Sequence, residues 1–130
     1  MEFAIQVNAG PYQSQGGDTA YQFIKAALNK GHQIRRVFFY HEGIYQGMRF
    51  AAPPTDERHP VRRWSTLAEE YDIDLVICIS AAQRRGLLVS EEAARVGKLD
   101  QDLAPGFRIA GLGLWIDACS NADRVLIFGN

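Results

Sequence analysis

Residues 73–79, Ile73-Asp74-Leu75-Val76-Ile77-Cys78-Ile79, are the stretch that most restricts what this chain can become. Six of the seven side chains are apolar, so neither face of a strand built from them could meet water. A short run that is apolar on both faces belongs to the centre of a parallel sheet covered on both sides. Parallel neighbours need crossover connections of a dozen residues or more, usually helical. The rest of the chain supplies them.

Phe3 to Asn8 reads as a strand, broken by Gly10-Pro11. Asp18 offers a helix N-cap, Ala20, Phe23, Ile24, Ala27 and Leu28 recur at helical spacing, and Gly31 suits the C-cap. Gln33 to Tyr40 reads as the second strand. His41 to Pro54 is irregular and long enough to be functional. A helix starts between Asp56 and Pro60, capped by Asp56 or His59, and runs to about Tyr71. Helix resumes after Ser80 and breaks at Gly86, and Ser90-Glu91-Glu92-Ala93 reads as another capped start. Phe107 to Ala110 forms a short strand, Gly111 to Ala118 a last helix and Arg124 to Phe128 a last strand. Strands alternating with helices predict one α/β domain over residues 1–130. The simplest right-handed arrangement is a flavodoxin-like five-stranded parallel sheet with helices on both faces.

The bulk numbers narrow the partners. Formal net charge is −1, without the basic excess that marks binding to nucleic acid or an anionic membrane. No apolar run reaches the roughly 20 residues that span a bilayer, and no signal peptide is visible, so a cytoplasmic protein is expected. Cys78 and Cys119 lie far apart and outside any C-x-x-C pair, so free thiols are expected. His32, His41 and His59 show no metal-ligand spacing with each other or with the cysteines.

In an open α/β sheet, reactive groups gather at the carboxyl ends of the strands. Three segments qualify: Asn8 to Gln15, Tyr40 to Gly47, and Cys78 to Arg85. Gly10 to Gly17 matches neither G-x-G-x-x-G nor G-x-x-x-x-G-K-[ST], which argues against a nucleotide or flavin there. Cys78 ends a strand and precedes a helix start, whose free amides favour a thiolate, and Arg84 and Arg85 add positive potential. A small buried cysteine packing a core strand is an equally good reading of position alone. Cys119 shares a helical face with Leu112, Trp115 and Ile116 and is expected to pack in the core. His32 opens a strand and reads as structural, while His41 borders the candidate site and could donate a proton or simply lie on the surface. Arg84 and Arg85 could equally be surface ion pairs. Gly111-Leu112-Gly113 opens the last helix, where glycine lets backbone approach a ligand or another subunit, or relaxes a turn.

Taken together, Phe3-Ala4-Ile5-Gln6-Val7, Ala20-Tyr21-Gln22-Phe23, Val37 to Tyr45, Val76 to Gly86, Gly111-Leu112-Gly113 and Asp123-Arg124-Val125 resemble the DsrE/TusD family of sulfur-relay proteins over nearly the whole chain. The resemblance implies the doubly wound fold and places a persulfide on the cysteine matching Cys78. It implies a hetero-oligomer with related small subunits of the DsrF and DsrH or TusC and TusB kinds. It also implies transient docking of sulfur-carrier proteins as donor and acceptor. The Asn8 to Gln13 loop and Gln83-Arg84-Arg85-Gly86 look more like DsrE, which serves sulfur oxidation, than TusD, which serves 2-thiolation of the tRNA wobble uridine.

The expected activity is therefore persulfide transfer through Cys78, with Arg84, Arg85 and His41 as candidate contacts to substrate or partner. One thiol suffices, without a metal or organic cofactor. A non-catalytic scaffold subunit and a flavodoxin-like cofactor binder are the competing expectations.

Overall fold

The computed structural model describes residues 1–129. Five strands, β1 (Glu2–Val7), β2 (Gln33–Phe39), β3 (Leu75–Cys78), β4 (Phe107–Ala110) and β5 (Arg124–Phe128), form one sheet, and every pairing is parallel. The helices are α1 (Gly16–Asn29), α2 (Pro60–Tyr71), α3 (Ile79–Arg84), α4 (Ser90–Arg95) and α5 (Leu112–Asn121), with a 3-10 helix at His41–Gly47. The parallel sheet and the helices on both faces are as expected. The strand order is 4-3-2-1-5, which differs from the 2-1-3-4-5 order of flavodoxin itself.

That order decides which helix covers which face. The chain steps outward from β1 to β4, so its crossovers stay on one face, and then returns to β5 across the other. Ring contacts show both faces. Phe23 of α1 meets Phe3 edge-on at 5.2 Å, and Trp64 of α2 meets Phe39 edge-on at 5.2 Å. On the opposite face Trp115 of α5 stacks on Phe38 at 5.7 Å. Leu75, Val76, Ile77 and Cys78 are all buried, as a central strand covered on both sides requires.

Local chemistry sets the boundaries that the sequence left open. His59 caps α2: its Nδ1 accepts from the Arg62 N–H at 3.1 Å, and Pro60 takes the first helical position. Asp72 closes α2 in the left-handed region, so β3 begins at Leu75 and Asp74 is free to bind arginines. α1 starts at Gly16, with Gln15 at its N-cap, which puts Asp18 in the first turn instead of at the cap. Ser90 does not cap α4; that position belongs to Val89, and Ser90 is the first helical residue.

The loops at the carboxyl edge are welded together by one buried amide. Gln46 is 1% exposed; its Nε2 donates to the Ala9 carbonyl at 3.0 Å, and its Oε1 accepts from Trp64 Nε1 at 3.0 Å. Gly43 lies so close to β1 that an added Cβ would sit 2.1 Å from the Val7 carbonyl oxygen. These contacts hold the 3-10 helix over the ends of β1 and β2 and fix what surrounds the end of β3.

Candidate functional site

Cys78 is the last residue of β3 and the N-cap of α3, 2% exposed, with φ −63° and ψ 122°. It pairs with Ala110, the last residue of β4. Gly111 follows as the N-cap of α5. From this pair the chain departs two ways. The connection after β3 stays on the α1–α2 face, where Ala104 N–H reaches the Gly47 carbonyl at 2.9 Å, and α5 crosses to the other face. Neighbouring strands whose outgoing connections diverge make a topological switch point, the crevice in which open α/β sheets hold their ligands. Strand alternation puts Cys78 on the face of Val76 and Ala110, the side that α5 covers.

Two helix starts therefore border the thiol. Neither α3 nor α5 has a side-chain cap hydrogen bond at its N-terminus among the described residues, and in α5 the Leu114 N–H turns back to the Gly111 carbonyl at 3.2 Å. α3 has only six residues, and its contribution to a negative sulfur comes from these local donors more than from a long dipole. Ile79 and Ser80, immediately after the cysteine, are exposed, so the protein surface begins one residue beyond the buried sulfur.

The other candidates separate in space. Arg85 Nε lies 2.8 Å from Glu42 Oε1, and Arg85 Nη1 donates to the Ala81 carbonyl at 3.1 Å. It thus ties the end of α3 to the 3-10 helix and is not a free docking charge. Arg84 is exposed and makes no hydrogen bond or ion pair among the described residues. His41 stands at φ 49°, in the left-handed region, with its ring 4.1 Å from that of Tyr40. Since Phe39 pairs with Ile77, Tyr40 lies level with Cys78 and His41 one residue further out. His41, Glu42, Arg85 and Cys78 share one edge of the sheet. Glu42 was not singled out from the sequence; the (His-Glu)-Gly turn after β2 was its only signal.

Cys119 departs from its expected place. It is half-buried, not sealed in the core, and burial pushes its thiol up, away from easy ionisation. α5 turns Leu114, Trp115 and Ala118 toward the sheet and leaves Leu112 47% and Ile116 63% exposed. The inward stripe is offset from the one the apolar residues suggested, because a chain with apolar residues on two helix faces does not reveal which face the sheet takes. Beside these, Val125 and Ile127 of the edge strand β5 are also exposed. His32 and His59 are structural: His32 Nδ1 lies 2.9 Å from the N-terminal amine, and His59 caps α2.

Comparison with known proteins agrees with this fold. The model of the DsrE/DsrF-like family matches residues 1–128. A protein of Allochromatium vinosum named "Putative sulfurtransferase DsrE" is 54% identical over 130 residues, covering 100% of both chains. Sulfurtransferase TusD of Salmonella newport is 41% identical over 128 residues, covering 98% of this chain and 100% of that one. Among solved structures, the ychN protein from E. coli superposes with a TM-score of 0.78 at 18% identity, over 98% of this chain and 99% of that one, which speaks to the fold.

Proposed function

From the premise that this chain belongs to the DsrE/DsrF-like family, we propose that it is a sulfurtransferase that carries sulfane sulfur as a persulfide on Cys78. The observation that carries this reading is the place of Cys78 at the β3–β4 switch point, bordered by two helix starts without side-chain caps. The Cys78 thiolate attacks the outer sulfur of a donor persulfide, forming the new S–S bond while the donor leaves as a thiolate. An acceptor thiolate then attacks the outer sulfur on Cys78, takes it as its own persulfide and releases the Cys78 thiolate. Both intermediates at Cys78 are sulfur anions, which the first-turn N–H groups can hydrogen-bond.

Burial of the thiol shapes the reaction. A group 2% exposed is shielded from bulky reagents, while the exposed surface begins at the neighbouring Ile79 and Ser80. The higher identity to DsrE than to TusD, 54% against 41%, favours a role in cytoplasmic sulfur oxidation over tRNA thiolation. Partner subunits of the DsrF and DsrH kind would seat on the exposed apolar surface of Leu112, Ile116, Val125 and Ile127. Gly111 and Gly113 in the same region have open space where a Cβ would stand and need no positive φ. Glycine in a helix costs about 1 kcal/mol relative to alanine, and nothing within the chain explains that cost at Gly113. Close approach by another chain does. Among the described residues no helix is long and apolar enough to cross a membrane.

Incubation of the reduced protein with a low-molecular-weight persulfide tests the assignment. Intact-mass measurement should show one added sulfur, peptide mapping should place it on Cys78, and Cys78→Ser should remove it. Loading that persists in Cys78→Ser on Cys119, or binding of a persulfidated carrier without transfer, would overturn the catalytic reading in favour of a scaffold.

A further inference from the structure

A cavity of about 350 Å³ lies two strands away from Cys78, at the carboxyl end of β1. Its walls are the loop after β1, the first turn of α1, and the segment leading into α2. The residues that matter are Tyr12, Asp18, Gln46, Glu57, Arg58 and Arg63. The family reading gives none of them a task.

Arg63 is built in, not draped on the surface. Its side chain is 13% exposed, its guanidinium carbon lies 4.0 Å from the Tyr21 ring centroid, and its Nη1 donates to Asp18 Oδ1 at 2.7 Å. Its Nε is buried and has no hydrogen-bond partner among the described residues. Arg58 stands at the rim, 63% exposed, and donates to the same Asp18 Oδ1 at 2.9 Å. Both arginines bond that single oxygen, and Asp18 Oδ2 accepts no hydrogen bond among the described residues. Hydrogen bonding from Arg63, assisted by the charges of both arginines, outweighs burial and holds the Asp18 carboxyl below its usual range, so it stays ionised. Gln46 forms a fixed back wall, its amide already committed to Ala9 and Trp64.

The charges decide the ligand. Arg58 and Arg63 are balanced by Asp18 and Glu57, so a bare dianion meets as much repulsion as attraction. A molecule with charges of both signs gains from both sets. We propose that this cavity is a second binding site that takes a small zwitterion of amino-acid type, its carboxylate on Arg63 and Arg58 and its ammonium on Asp18 and Glu57. The volume is at the small end for ligand sites, which fits one amino acid and excludes a dinucleotide. Tyr12, 63% exposed, closes the rim with an aromatic face.

NMR titration of the full chain with glycine, L-alanine and L-serine, beside acetate, methylamine and inorganic phosphate, tests the proposal. Saturable shifts at Tyr12, Asp18 and Arg63 are expected with the amino acids, at affinities about tenfold or more above acetate or methylamine, the gain of one further charged hydrogen bond. Arg63→Met and Asp18→Asn should each weaken binding about tenfold or more. Arg58→Ala, an exposed change that leaves the fold intact, should weaken it to a smaller degree. Cys78→Ser should change nothing, which separates this site from the sulfur-transfer reading. No saturable shift with any amino acid, tighter binding of phosphate than of amino acids, or unchanged binding in Arg58→Ala and Asp18→Asn would overturn it.

Discussion

Cys78 and Ala110 are register partners at the ends of β3 and β4, and the chain leaves them toward opposite faces of the sheet. That divergence puts the thiol at a topological switch point. The cysteine owes its setting to topology more than to any local motif: in a strand order of 4-3-2-1-5, β3 and the edge strand β4 are neighbours whose outgoing connections leave toward opposite faces.

The Glu42–Arg85 ion pair should hold the end of α3, the helix that Cys78 caps, against the 3-10 helix. Both groups are partly exposed, so Arg85→Ala should cost only about 0.5–1 kcal/mol of global stability. Amide exchange over residues 79–84 should nevertheless accelerate, because α3 is six residues long and this tie is one of few contacts that keep it folded. Sulfur loading of Cys78 should slow in parallel. Unchanged exchange in Arg85→Ala would show that α3 stands without the tie.

Gln46→Leu should destabilise the protein by about 2–4 kcal/mol, since it strands two buried groups, the Trp64 N–H and the Ala9 carbonyl. Urea unfolding measures this directly. A loss under 1 kcal/mol would mean that water replaces the amide.

Much of this architecture is written in short-range patterns. The doubly apolar β3 run forces a covered central strand, and β5 falls on Arg124–Phe128 as the sequence suggests. The carboxyl-edge location of Cys78 follows from the same patterns. Strand order does not, because alternation of strands and helices is compatible with several right-handed windings. Pair identity is also hidden: nothing local tells that Arg85 finds Glu42, 43 residues away, in place of a partner protein. Cys119 and Ile116 show a third limit, since α5 has apolar residues on two faces and only packing decides which one the sheet receives. The Asp18 site is legible only in three dimensions, as its arginines come from a segment 40 and 45 residues downstream.

The outer surface of α5 and β5 should govern assembly. Leu112→Ser and Ile116→Ser alter residues that are already about half exposed or more, so the folded monomer should lose about 0.5 kcal/mol or less. Co-purification with related subunits should fail in the double variant, as read by size-exclusion chromatography with light scattering. Retention of the full assembly would place the interface elsewhere.

Asp74 should set the acid limit of the fold's lower edge. Its Oδ2 accepts from Arg36 Nε at 2.6 Å, and Arg108 donates to both of its oxygens at 2.8 and 2.9 Å. Arg36 also reaches the Leu114 carbonyl at 2.8 Å, so the pair fastens α5 to the sheet. Burial alone would raise the Asp74 carboxyl, but hydrogen bonds and charge from Arg108 and Arg36 outweigh it and hold it below its usual value. A carboxyl depressed in the folded state stabilises that state above its unfolded value of about 3.9, and the gain disappears as pH falls through the lower, folded value. Asp74→Asn should therefore lower stability at pH 7 by about 1–3 kcal/mol. The gap between variant and wild type should narrow steadily below about pH 4. Chemical unfolding at pH 7, 5, 4 and 3 reads this convergence. A gap that stays constant across the series would mean that Asp74 acts through its shape and hydrogen bonds alone, without its charge.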